Sequence, residues 1–350
     1  RCGIAGIMTV DGGAPDGTAL SEMKSALVHR GPDGDAIWSA GDIGLVHTRL
    51  AIIDLETGAQ PLFGPDGEVL VANGEIYNYI ELRAERPDTA FKTNSDCEPG
   101  LHYYRDYGIE FAEWLRGMYA LALYDPAARR LVLSRDPFGI KPLYYAQSET
   151  SFAFASEPQA LLAAGFGSRK TRALQTEELL QLQFTTGNKT PFDGIDRVLP
   201  GETLVVSAGR IIERRRRTAL PESGPDSLGE ADALRRVEEA LMDSVAVHLR
   251  SDVPYAMFLS GGIDSSSVLA AMARLNEHTV TAYTVGFPGT GAADERDEAR
   301  QVAKSLGAEH VEISFDDTDF WQLLPAVAAA MDEPVADSVS YTHLTLPTKA

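Results

Sequence analysis

Met118-Tyr-Ala-Leu-Ala-Leu-Tyr124 and Leu131-Val-Leu-Ser-Arg135 are β-rich runs, and the segment between them opens with the turn residues Asp125-Pro126. This pattern predicts a β-hairpin. Outward from it, Cys2–Val10, Gly44–His47 and Val69–Asn73 read as further strands bounded by Gly, Pro and Asp. The stretch Thr18–His29 reads as a helix with Leu20, Met23 and Leu27 on one face. Short antiparallel strands with helices outside them predict an α+β domain of stacked layers over residues 1–206.

From Ser207 the chain turns polar, and Arg214–Arg217 is followed by Pro221, Gly224 and Pro225. We expect a linker over 207–227, with the arginine run as solvated linker or strand edge. The rhythm then changes. Glu230–Arg250 carries Leu234, Val237, Leu241, Val245 and His248 on one helical stripe and leads to an apolar strand, Pro254–Leu259. A helix from about Ser266 to Arg274, a strand Val280–Val285, a helix Asp294–Leu306, a strand His310–Ile313 and a helix Phe320–Met331 complete the reading. Strands alternating with helices predict a partial α/β domain with a doubly wound parallel sheet over residues 228–337.

A chain of 350 residues that is 44% hydrophobic can bury two cores. Its formal charge of −20 argues against a nucleic-acid or anionic-membrane surface, which needs clustered Lys and Arg. Cys2 and Cys97 make no disulfide framework and no CxxC pair, which points to a reducing compartment. No apolar stretch approaches the roughly 20 residues of a membrane span and no signal-peptide pattern opens the chain, so a cytoplasmic location is expected.

An isolated cysteine usually reads as a small buried hydrophobe. At a chain start it can instead be a nucleophile, because a free α-amine is partly neutral near pH 7 and can take the thiol proton. Cys2-Gly-Ile-Ala-Gly6 has company in His29-Arg-Gly-Pro-Asp-Gly34, His47-Thr-Arg-Leu-Ala-Ile-Ile-Asp54, Asn73-Gly-Glu-Ile-Tyr-Asn78, Thr93-Asn-Ser-Asp96 and Arg135-Asp-Pro-Phe-Gly-Ile-Lys-Pro142. In this order the blocks resemble the N-terminal-nucleophile glutamine amidotransferases over about residues 2–160.

The resemblance implies a four-layer αββα sandwich and assigns roles. Cys2 is the nucleophile, and Arg49 matches the arginine that holds the glutamine α-carboxylate. The Asn73 side chain and the Gly74 N–H match the oxyanion donors, although Asn-Gly is equally an ordinary hairpin turn. Glu75 and Asp96 match the ligands of the α-ammonium group. Cys97, where many relatives carry Thr, reads as a packed thiol. Arg1 is a departure, since an amide nitrogen at Cys2 has no basic lone pair. A chain retaining Arg1 is expected to be weak or inactive as a glutaminase, and one beginning at Cys2 active.

In the second domain, Leu259-Ser-Gly-Gly-Ile-Asp-Ser-Ser266 follows a strand and opens a helix. Small residues there let backbone N–H groups reach phosphate oxygens, and Ser260, Ser265 and Ser266 add hydroxyls. The absence of GxxxxGK[ST] excludes the usual ATPase loop. The block resembles the pyrophosphate loop of ATP pyrophosphatases, which implies that Leu259, Ser260, Gly261, Gly262, Asp264, Ser265 and Ser266 bind ATP. By the same resemblance Asp264 is linked to a phosphate-bound Mg²⁺, and the Val285 backbone contacts the adenine or ribose. Asp332-Glu333-Pro334 resembles a loop of asparagine synthetases, though it also simply ends a helix.

Together the domains resemble glutamine-hydrolysing asparagine synthetases, C-terminally truncated, with residues 338–350 outside the family pattern. The implied partners are glutamine, ATP, Mg²⁺ and a carboxylate acceptor, aspartate or a peptide or polysaccharide unit, with a homodimer allowed. The implied chemistry is ammonia release from glutamine followed by amidation of an acyl-adenylate. A stand-alone glutaminase and a non-catalytic fragment remain the alternatives.

Overall fold

The computed structural model describes residues 2–225, 227–289, 294–331 and 333. The described residues divide into two compact units, those of 2–222 with 333, and those of 223–331. In chain order, unit 1 holds β1 (Gly3–Thr9), α1 (Gly17–Leu27), β2 (Gly34–Ala40), β3 (Ile43–Arg49), β4 (Leu62–Phe63), β5 (Val69–Ile76), α2 (Tyr79–Ala84) and α3 (Pro99–Tyr107). There follow β6 (Gly117–Asp125), β7 (Arg130–Arg135), β8 (Tyr144–Gln147), β9 (Ser151–Ala155), α4 (Pro158–Ala163), α5 (Ala173–Leu182), β10 (Asp196–Arg197), β11 (Glu202–Ser207) and β12 (Arg210–Arg216).

Two six-stranded antiparallel sheets result, ordered β10-β8-β9-β1-β3-β2 and β12-β11-β7-β6-β5-β4. The expected hairpin is β6–β7, paired from Ala120↔Arg135 to Asp125↔Arg130. The period of two along each strand sorts the side chains into layers. On β1, Ile4 and Met8 meet Val71, Ala122 and Leu133 of the other sheet, which makes the core between the sheets. Ala5 and Ile7 point the other way, onto Leu20, Met23 and Leu27 of α1. On β5, Leu70 and Ala72 pack outward against Leu101 and Tyr104 of α3. The order is therefore helix, sheet, sheet, helix, the αββα sandwich.

The α1 stripe is fully buried, so each of its large side chains contributes about 1.5–3 kcal/mol of transfer free energy. Asp16 caps this helix by accepting from the Thr18 N–H at 2.9 Å. The helix stops at Leu27, and Val28–Arg30 form a 3-10 turn rather than the last helical turn expected there.

The segment expected to be a linker begins differently, because β12 occupies much of it and unit 1 runs on to Glu222. As an edge strand β12 pairs only with β11, and its arginines reach outward to acids: Arg214 to Glu202 at 2.9 Å and Arg215 to Glu110 at 2.6 Å. A polar composition is compatible with an edge.

Unit 2 holds α6 (Glu230–His248), β13 (Met257–Phe258), α7 (Ile263–Leu275), β14 (Thr281–Gly286), α8 (Arg296–Ser305), β15 (Glu309–Ser314) and α9 (Asp317–Ala330). Its strands form a parallel sheet in the order β13-β14-β15. Leu259, Leu269, Met272, Ala282 and Ala299 fill its core. Only the C-terminal half of α6 joins them, through Leu241 and Val245, whereas Leu234 and Val237 are 64% and 66% exposed. α7 begins at Ile263, earlier than expected, because Gly262 takes the extended backbone of an N-cap and its carbonyl accepts from Ser266 N at 3.0 Å.

Candidate functional site

Cys2 immediately precedes β1, and the register Gly3↔Thr48 brings it beside Arg49 at the end of β3. Its Sγ lies 3.4 Å from the Leu50 backbone nitrogen and 3.6 Å from the Leu50 carbonyl oxygen. Across the sandwich β5 presents Asn73, Gly74 and Glu75, and the segment before α3 supplies Asp96. These residues line one cavity of about 250 Å³. The α-amine expected to act as base belongs to the Arg1–Cys2 junction, and Arg1 lies outside the described residues.

The backbone of β5 explains how that cavity acquires donors. β4 pairs with β5 only at Leu62↔Leu70 and Phe63↔Val69, so the same edge stands open from Val71 onward. Tyr119, opposite Gly74 on β6, gives its N–H to the Asp136 carboxylate at 3.2 Å and takes the Asp136 N–H on its carbonyl at 2.8 Å. Gly74 therefore turns its own N–H toward the open edge. Side chains occupy the neighbouring edge positions: the Ala72 N–H donates to Gln60 Oε1 at 2.6 Å and the Ile76 N–H to Asp96 Oδ2 at 2.7 Å. A side chain at Gly74 is sterically blocked, since a Cβ there would stand 2.2 Å from the Met118 carbonyl.

Beside it, Asn73 is fully buried, and neither its Nδ2 nor its Oδ1 has a hydrogen-bond partner. Leaving a buried amide unpaired costs about 1–3 kcal/mol for each group, and a ligand oxygen accepting from Nδ2 would relieve the donor's share. Arg49 is held by its Nη2 on the Asp54 carbonyl. Asp54 in turn organises the loop, accepting from Thr57 N at 2.9 Å and from Asn94 N at 2.8 Å.

Burial sets the acidities. It pushes the Cys2 thiol up, against a lowering by the Leu50 backbone bond, so sulfur needs a base to become a nucleophile. Burial also pushes Asp96 up to about 7, opposed by the Ile76 bond and reinforced by the nearby Glu75 charge. His47, buried between the sheets, is driven down to about 4 and stays neutral, with Nε2 donating to the Ala72 carbonyl at 3.2 Å.

In unit 2 the loop Leu259–Ser266 joins β13 to α7. Gly261 has φ +80°, and a Cβ on it would stand 2.9 Å from the Glu298 Cβ, so only glycine fits. Ser260 Oγ and Ser265 Oγ lie 3.0 Å apart, and the Gly262 N–H donates to Ser260 Oγ at 3.3 Å. Ser266 Oγ is buried without a partner. Asp264 is exposed in the first turn of α7, and Val285 lies on β14. No group of three or more His, Cys, Asp or Glu side chains able to hold a metal occurs among the described residues. A lone carboxylate fits only a magnesium that arrives on phosphate oxygens.

Residues 1–216 match the glutamine amidotransferase domain family. The chain belongs to that family. Residues 236–350 match the asparagine synthase family, a match that runs through 338–350. Among curated relatives, a putative glutamine-hydrolysing asparagine synthetase of Mycobacterium tuberculosis is 36% identical, over 96% of this chain and 55% of its own length. Asparagine synthetase 1 of Bacillus subtilis is 37% identical over 91% of this chain and 50% of its own. The amidase chry2 of Gibberella zeae is 33% identical over 93% and 54%. The chain thus spans about half the length of the curated relatives it matches.

The cavity also includes residues to which the sequence assigns no role: Gln60, Lys141 and, as a buried thiol, Cys97. Lys141 was visible inside the block Arg135–Pro142. Its loop is shaped by the fully buried Asp136, which accepts from the Phe138, Ile140 and Lys141 N–H groups at 3.1, 3.0 and 3.0 Å. Gln60 carried no signal, because its bond to Ala72 depends on where β4 stops.

Proposed function

We propose that unit 1 is a glutaminase in which Cys2 attacks the side-chain carboxamide of glutamine. The observation that carries this reading is the unpaired Asn73 amide beside the Gly74 N–H, on the same cavity as the Cys2 sulfur. Arg49 pairs with the α-carboxylate, and Glu75 with Asp96 receives the α-ammonium group. The Cys2 α-amine takes the thiol proton, and sulfur bonds to the amide carbon. Its carbonyl oxygen becomes an oxyanion held by Asn73 and Gly74. Collapse expels ammonia, which leaves with the proton, and water then cleaves the thioester to give glutamate and restore the thiol.

Unit 2 supports an ATP-binding role. The open N-terminus of α7, the glycine at positive φ and the unpaired Ser266 hydroxyl suit phosphate oxygens, and Asp264 would serve a phosphate-borne Mg²⁺. That ion would neutralise phosphate charge. The whole enzyme then joins ammonia to a carboxylate activated by ATP. Aspartate is the acceptor we favour, because the relatives named asparagine synthetases stand at 36–37% identity. A different acceptor acid is the second reading, favoured by the similarity to a protein named an amidase at 33%.

The test is a glutaminase assay on chains beginning at Arg1 and at Cys2, with Cys2→Ala as control. Ammonia release is expected from the chain beginning at Cys2 and from neither of the others. Equal turnover by the Cys2→Ala protein would remove the assignment. ATP-dependent pyrophosphate release, screened against aspartate and other acids in a protein extended to the length of its relatives, separates the two acceptors.

A further inference from the structure

We propose that Gln60 is a positioning residue for the oxyanion site, its side-chain carbonyl standing in for a missing strand partner so that the adjoining Gly74 N–H stays open. The inference rests on the glutaminase reading and extends it to a residue without an assigned role.

The argument starts from strand register. β4 runs against β5 with Leu62 opposite Leu70, so an uninterrupted strand would set residue 60 opposite Ala72. The ladder ends before that point, yet the Ala72 N–H is not left bare: it donates to Gln60 Oε1 at 2.6 Å. The Ala72 carbonyl is taken by His47 Nε2 at 3.2 Å, so both polar groups of this residue are held by side chains rather than by a strand. At the far side of Gly74, Asp96 holds the Ile76 N–H at 2.7 Å. Gly74 is therefore clamped between two edge positions occupied by side chains while its own edge position faces the cavity.

Had β4 continued, its backbone carbonyls would have run on along the edge toward Gly74 and competed for that donor. A side-chain carbonyl supplies one acceptor and then stops. Gln60 thus satisfies Ala72 without extending the sheet, and it lines the cavity as it does so. Its chemistry fits this role, since a neutral amide oxygen accepts the N–H without placing a negative charge beside the developing oxyanion.

The experiment replaces Gln60 by Met and by Leu, which keep bulk but offer no comparable acceptor, in the full chain processed to Cys2. Removing an oxyanion donor outright costs about 100- to 1,000-fold in kcat, so loosening one is expected to cost about 10-fold or more, with KM for glutamine unchanged. A γ-aldehyde analogue of glutamine, which adds to the Cys2 thiol as a tetrahedral adduct, should bind more weakly by a similar factor, while the product glutamate binds as before. The adduct can be read by calorimetry on folded protein, so a slow variant remains informative. Unchanged kcat and unchanged aldehyde binding would overturn the proposal, as would parallel losses for aldehyde and glutamate, which mark a general loosening. Cys2→Ala keeps the two claims apart. If it abolishes turnover while the Gln60 variants behave as the parent, the glutaminase reading stands and the role of Gln60 falls.

Discussion

Replacing Asp96 by Asn should make this protein more stable and a poorer glutamine binder at the same time. The carboxyl is 6% exposed, and burial holds it near 7, about three units above its value of about 3.9 in an unfolded chain. Between those values the native state keeps a proton that the unfolded chain has lost. Native stability therefore falls as pH rises from about 4 to about 7 and changes no further above 7, where both states are ionised. At about 1.4 kcal/mol per unit the cost approaches 4 kcal/mol, an upper figure because relaxation around the charge reduces it. His47 works in the opposite direction: its pKa, lowered to about 4, removes stability as pH falls through the interval between about 6.5 and 4. In the parent the two slopes oppose each other.

The measurement is accordingly the difference in unfolding free energy between parent and Asp96→Asn at each pH, taken from urea melts between pH 4.5 and 9. The advantage of the variant should grow from the acid end to about pH 7 and then level off at about 1–4 kcal/mol. Above about pH 7, where the parent carboxyl is ionised, glutamine binding should weaken about 10- to 100-fold, the worth of a charged hydrogen bond to the substrate ammonium. The share of the acid limb of kcat/KM that Asp96 contributes near pH 7 should disappear, leaving the limb set by the Cys2 α-amine. A variant less stable than the parent at pH 8, or an acid limb left unchanged by the substitution, would refute the account of Asp96 as a strained ligand.

Other consequences follow from the same geometry. Asn73→Ala should lower kcat by about 100- to 1,000-fold with KM little changed, and should not destabilise the fold, because it removes an unpaired buried amide. Gly74→Ala should destabilise unit 1 in thermal melts, since its Cβ would stand 2.2 Å from the Met118 carbonyl. Ser266→Ala should leave melting unchanged but weaken pyrophosphate binding in calorimetry, if the buried hydroxyl serves an anion. Arg49→Lys should raise KM for glutamine about 10-fold or more, because an ammonium cannot make the bidentate contact.

Much of this molecule was legible wherever the relevant physics is local. The stripe Leu20, Met23 and Leu27 announced a helix, and Asp125-Pro126 between apolar runs announced the β6–β7 hairpin. Short blocks such as Asn73-Gly-Glu75 revealed the cavity residues, since contiguous residues on one strand travel together. Strands β8 and β9 were missed because they are almost wholly buried and show no alternation, while β2 is an edge strand with Asp35 and Ser39 among its residues. The stripe along α6 was read as continuous although only its second half is covered, because periodicity reports a face and says nothing about what meets it.

The least legible feature is the one on which the site depends most. A donor aimed into a cavity exists only because a strand pair ends early, and the end of a pair is a relation between segments that are distant until the chain folds. Pro61 offers a partial cue, since proline has no N–H to give a neighbouring strand and so favours the end of a ladder beside it. That cue says where β4 fails but not which side chain caps the exposed N–H beyond it. Gln60 answers the question with an oxygen at the far end of two methylenes and three torsions, a position fixed by packing rather than by spacing along the sequence. For this reason a substitution at Gln60 should reveal itself in kcat, although the residue lies in no block with a recognisable pattern of its own.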